Sequence, residues 1–88
     1  MISAEQVNAI AAKIETLGVD ETTISTLRQH YQPIHFTYCM DDDLPNNDPI
    51  IEKAAFNLYL IDGREHCLCL TNDHDIATGV VVAEIIPD

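Results

Sequence analysis

The amino-acid sequence predicts an α+β domain: two N-terminal helices packed on one face of a small, mainly antiparallel four-stranded sheet. Three observations predict it. Two capped segments with helical apolar spacing occupy residues 3 to 31. An alternating stretch, Ile34-His35-Phe36-Thr37-Tyr38-Cys39-Met40, follows them. Apolar runs on both sides of Asp62-Gly63 then read as a hairpin, because Asp-Gly supplies the backbone conformations that a tight turn between strands needs. A chain of 88 residues has room for one core, so residues 1–88 form a single domain.

The first helix starts at Ser3, which with Gln6 three positions later makes a capping box. Val7, Ile10, Ala11, Ile14 and Leu17 follow at helical spacing and form one apolar stripe, and Gly18 stops the helix in the left-handed position. Asp20 caps the second helix, over about residues 21 to 30. Val19 packs on Ile24 as a staple across that cap, Ile24, Leu27 and Tyr31 face inward, and Pro33 ends the segment.

In the first strand, alternation puts Ile34, Phe36, Tyr38 and Met40 on the core face and His35, Thr37 and Cys39 on the other. Asp41 to Pro49 is a polar loop with two prolines and four aspartates; Ile50, Ile51 and Ala54 tack its end to the body. The hairpin follows. Thr71 to Thr78 form a turn or one helical turn, with Asp73 or Asp75 as cap, and Gly79 opens the last strand, Val80 to Ile86. The hairpin register stays open. A two-residue loop at Asp62-Gly63 pairs Ile61 with Arg64 and puts Cys67 and Cys69 on the Phe56 face. A three-residue loop puts Leu68 and Leu70 there instead. The second leaves one strongly apolar face for two helices to cover. The opposite face then holds His35, Thr37, Cys39, Tyr59, Cys67, Cys69 and Thr71, a mixed surface suited to a partner or a homodimer.

Composition bounds the function. Apolar residues make up 47% of the chain, but no run reaches the roughly 18 residues of a membrane span. The N-terminus lacks the basic segment and apolar core of a signal peptide. Three cysteines, an odd number with no framework spacing, fit a reducing cytoplasm. The formal charge of −11 argues against nucleic acid and anionic lipid and favours a basic protein patch or a cation.

Four groups are candidates for chemistry. His35, Cys39, His66, Cys67 and Cys69 are soft ligands suited to zinc, copper or iron; residues two apart on a strand share a side, so Cys67 and Cys69 reach one metal together. They lack the Cys-x-x-Cys knuckle of zinc sites, and buried cysteine also serves as a small apolar residue. Cys39 with His35, or Cys67 with His66, are nucleophile–base pairs on neighbouring positions, with no glycine-rich oxyanion turn beside them; no catalysis and no cofactor are expected. Asp41, Asp42, Asp43 and Asp48 lack the calcium-loop pattern and read as an acidic finger that docks into a basic patch on another protein. Asp73-His74-Asp75 places a histidine between carboxylates, and ordinary turn and cap chemistry accounts for it.

Two resemblances add to this reading. Leu17-Gly18-Val19 followed by Thr23-Ile24-Ser25 resembles the turn and second helix of helix-turn-helix DNA-binding proteins. The match departs at Ile14, where that family carries a small residue. The would-be recognition helix offers Glu21, Thr22, Ser25, Thr26 and a single positive charge, Arg28, so a helical hairpin covering a sheet is expected instead. The stretches His35-Phe36-Thr37-Tyr38-Cys39-Met40-Asp41-Asp42-Asp43 and Phe56-Asn57-Leu58-Tyr59-Leu60-Ile61-Asp62-Gly63-Arg64-Glu65-His66-Cys67-Leu68 resemble a family of small proteobacterial proteins of uncharacterised function. With the helices, the resemblance covers nearly the whole chain. It implies a link to nitrogen-metabolism gene neighbourhoods, nitrogen fixation in particular, and an accessory protein rather than an enzyme. The expected function is a small acidic cytoplasmic protein, without catalysis of its own, that binds a larger protein; the alternative is a transition-metal carrier.

Overall fold

The computed structural model describes residues 2–44, 48–63 and 69–86. Helix α1, Ala4–Leu17, begins with the full capping box: the Gln6 amide donates to the Ser3 side chain at 3.1 Å, and the Ser3 amide donates to the Gln6 side chain at 3.0 Å. It ends at Gly18, whose φ of 92° side chains seldom adopt. Asp20 caps helix α2, Glu21–His30, by accepting the Thr23 amide at 2.8 Å. Val7, Ile10, Ala11 and Ile14 are buried as the spacing requires. Leu17 is not: it is 48% exposed, and Val19 packs against the core at that end.

Five strands follow: β1 His35–Met40, β2 Ile51–Glu52, β3 Phe56–Asp62, β4 Cys69–Thr71 and β5 Gly79–Glu84. The sheet has order β1-β5-β3-β2, with β4 on β3 beside β2's edge; three of its four pairings are antiparallel, as expected, and the expectation is corrected in the strand number, five among the described residues, and in the parallel pairing of β1 with β5. The last strand inserts between the first and the third, running parallel to β1 and antiparallel to β3. Its sequence allows this. Gly79 to Ala83 contain no polar side chain and are all buried, as a strand covered on both faces must be. Gly79 is needed there, because a Cβ would sit 2.8 Å from the His35 carbonyl oxygen and 3.0 Å from the Ile61 side chain.

The Asp62-Gly63 hairpin is also corrected. Asp62 pairs with Cys69 and Ile61 with Leu70, a register that neither short loop at Asp62-Gly63 gives. The end of β3 is bound to β5's approach instead: the Gly63 amide donates to the Thr78 hydroxyl at 2.8 Å, and the Thr78 amide donates to the Ile61 carbonyl at 2.8 Å. Pairing parity then puts Leu58, Leu60, Cys69 and Thr71 on one face and Tyr59, Ile61 and Leu70 on the other. Leu70 thus lies opposite to the placement that left one apolar face.

Both faces carry a core. The two helices cover Phe36, Phe56, Leu58, Leu60, Val80 and Val82. On the second face Tyr59, Ile61, Val81 and Ala83 form a smaller cluster, with Cys39, Leu44 and Leu70 packed against it. Of the expected inner face of β1, Phe36 is buried and Ile34 is half-buried. Tyr38 is 41% exposed, because β1 is the outermost strand and the phenol turns to donate to the Glu84 carboxylate. Ile50 and Ile51 pack on the helix-side core as expected; Ala54 is exposed.

Candidate functional site: an acidic turn and an acid-free edge

The first three aspartates of the polar loop form a single 3-10 turn, Asp41–Asp43, directly after β1. The turn is fastened from below. The Asp41 carboxylate accepts the Asn57 side-chain amide at 2.9 Å and the Tyr59 hydroxyl at 3.1 Å, both from β3. The chain therefore leaves the outer strand and crosses the second face of the sheet. Leu44 follows into the apolar cluster there. Asp42 and Asp43 stay exposed. Asp48 is exposed too, but it stands just before β2, on the opposite side of the sheet from β1.

This arrangement sets the titration of its neighbours. Burial, with the Asp41 hydrogen bond second, raises the Tyr59 pKa. Burial raises the Cys39 pKa, and the nearby Asp43 and Asp41 carboxylates add to it. Cys39 is thus held as a neutral thiol, the form least useful as nucleophile or metal ligand. The hydrogen bond to Glu84 raises the Tyr38 pKa.

The five proposed metal ligands are not assembled by the described residues. His35 and Cys39 share a strand four positions apart, roughly 13 Å along it. Cys69 lies on β4, three strand spacings from β1, about 14 Å, and on the other face. Among the described residues no three His, Cys, Asp or Glu side chains converge as a metal would require. His66 and Cys67 lie outside the described residues, as does the nucleophile–base pair they would form. No described helix is long and apolar enough to cross a membrane.

One feature escaped sequence reasoning, although the sequence carries its signal. Between Glu21 and Asp41 there is no Asp or Glu, while the rest of the chain holds all 15. The acid-free segment runs from Thr22 in α2 to Met40 at the end of β1. The Arg28 guanidinium crosses from the helix to the outer strand and donates through Nε and Nη2 to the Phe36 carbonyl, at 3.3 and 3.1 Å. Two grooves, of about 650 and about 480 Å³, adjoin at residues 32–35; Arg28 and Thr37 line the first, Gln6 and His30 the second, and no acidic residue lines either. The surface thus divides into a carboxylate-rich turn at the end of β1 and an uncharged or basic sector at its start.

A family model described as a family of unknown function, DUF6129, matches residues 9–85. No curated protein and no solved structure matches the chain.

Proposed function

We propose that this chain, which belongs to the DUF6129 family of unknown function, is a small cytoplasmic accessory protein without catalysis of its own that binds a larger protein through a basic patch on that partner. The observation that carries the reading is the clamp on Asp41. By holding the turn to Asn57 and Tyr59 it presents Asp42 and Asp43 in a fixed, exposed position, so less ordering is needed on binding. The −11 charge steers basic partners toward such a turn. A neutral Cys39 thiol and the scattered positions of His35, Cys39 and Cys69 offer the catalytic and metal-carrier readings no support among the described residues. On the resemblance to small proteobacterial proteins, the partner we propose belongs to nitrogen metabolism, nitrogen fixation in particular.

Affinity capture from lysate with wild type and with Asp42→Lys/Asp43→Lys tests the reading. One larger protein should be retained by wild type, released at high salt and weakened at least about tenfold by the variant, ~1.4 kcal/mol. Capture that ignores both salt and the charge reversal would overturn it.

A further inference from the structure

The outer side of β1 is a sheet edge that no other described strand pairs. Its backbone polarity is fixed by two contacts. The His35 amide donates inward to the Thr78 carbonyl, and the Phe36 carbonyl faces outward to Arg28. Alternation along the strand then turns the N–H and C=O groups of Tyr38 and Met40 outward. The strand His-Phe-Thr-Tyr-Cys-Met carries no formal charge, proline or glycine, so it lacks the devices that blunt exposed edges. Arg28 protects its first third only.

We propose that this edge pairs with β1 of a second copy of the chain, antiparallel, joining the two sheets into one. Charge decides the orientation. Each β1 enters beside Arg28 and leaves into Asp41–Asp43. Antiparallel pairing sets the basic start of one strand beside the acidic end of the other; parallel pairing would set like beside like. The acid-free sector is also where two chains of −11 approach with least repulsion.

Arg28 selects the register. Outward groups must face outward groups, so residues 36, 38 and 40 pair among themselves. The guanidinium on the Phe36 carbonyl bars a strand from lying opposite Phe36. Two two-fold arrangements within the strand remain, and Met40 opposite Met40 of the second copy makes only two main-chain hydrogen bonds. The better satisfied one sets Tyr38 opposite Met40 of the second copy and Met40 opposite its Tyr38, with four main-chain hydrogen bonds. The two Cys39 residues then meet across the axis.

Sedimentation equilibrium across the micromolar range, with hydrogen exchange on the same samples, tests this. Wild type should reach twice the 9.8 kDa of one chain. The Tyr38 and Met40 amides should exchange slowly in proportion to dimer, with the Phe36 amide fast. Met40→Pro removes an outward N–H at a φ of −85° that proline accepts, and it should give a monomer with an unchanged circular dichroism spectrum. A wild-type monomer, fast exchange at both amides in a dimer, or a Met40→Pro dimer of wild-type affinity would overturn the proposal. Protection that arises only on adding a different protein would give the edge to that partner and would overturn it equally. The exchange pattern needs no variant, so a misfolded Met40→Pro protein does not rescue the idea.

Discussion

Ile2 and His74 hold each other twice. The Ile2 amide donates to the His74 carbonyl at 3.0 Å, and the His74 ring nitrogen Nδ1 lies 2.8 Å from the Ile2 carbonyl. A carbonyl can only accept, so Nδ1 carries the proton in this contact. The reciprocal pair seats the Ile2 side chain, 1% exposed, in the helix-side core and ties the start of α1 to the turn before β5. His74→Ala should lower stability by about 0.5–1.5 kcal/mol, one net hydrogen bond. Urea unfolding checks the magnitude, and faster exchange of the Ile2 amide checks the place.

The clamp on Asp41 should be visible in a titration. Asp41→Asn removes the carboxylate that helps hold Tyr59 protonated, so the Tyr59 pKa should fall toward the ordinary tyrosine value. The fall should be partial, because burial is the larger cause and remains. Carbon NMR of the tyrosine rings resolves Tyr59 from Tyr31 and Tyr38. An unmoved Tyr59 would show that the carboxylate does not bear on it.

Cys39 should alkylate more slowly at neutral pH than an unperturbed thiol, with its rate rising only at more alkaline pH. The same shift fixes a sign for stability. The folded pKa lies above the unfolded one, so the folded state favours the protonated thiol. Stability is therefore full below the unfolded pKa and declines as pH rises toward and through the folded value. Cys39→Ser should flatten part of that alkaline decline in a series of thermal melts.

Gly79→Ala should destabilise by about 1–3 kcal/mol, because the methyl group meets the His35 backbone as well as the Ile61 side chain. Leu60→Ala, at a side chain with no exposure, should cost about 2–5 kcal/mol. For a domain of this size either loss is a large share of the total stability, about 4–13 kcal/mol. Denaturant midpoints at constant slope separate the two.

Those two positions also show how sequence and structure divide the account. The helices were readable because their determinants are local. Ser3 with Gln6, Gly18, Asp20 and the Val7-Ile10-Ala11-Ile14 spacing act within one or two turns, and each is realised. Strands β1, β3, β4 and β5 were readable as strands for the same reason, while the two-residue β2 was not. The carboxylate-free interval from Thr22 to Met40 was equally present in the sequence, but its meaning needed the outer position of β1.

The order of the strands was not local. Asp62-Gly63 carries a strong turn signal, yet Thr78, fifteen residues on, takes the Gly63 amide, and Asp62 pairs with Cys69. The face of Cys69 depended on that register, which sets it on the side of the sheet away from Cys39. Asp41, read as one of four solvated acids, became an anchor because β3 lies two strands from β1 with Asn57 and Tyr59 turned toward it. Capping and periodicity are short-range effects that a sequence states directly. Strand insertion and register come from burying the apolar run Gly79–Ala83 on both faces at once, a free energy that exists only when distant segments meet.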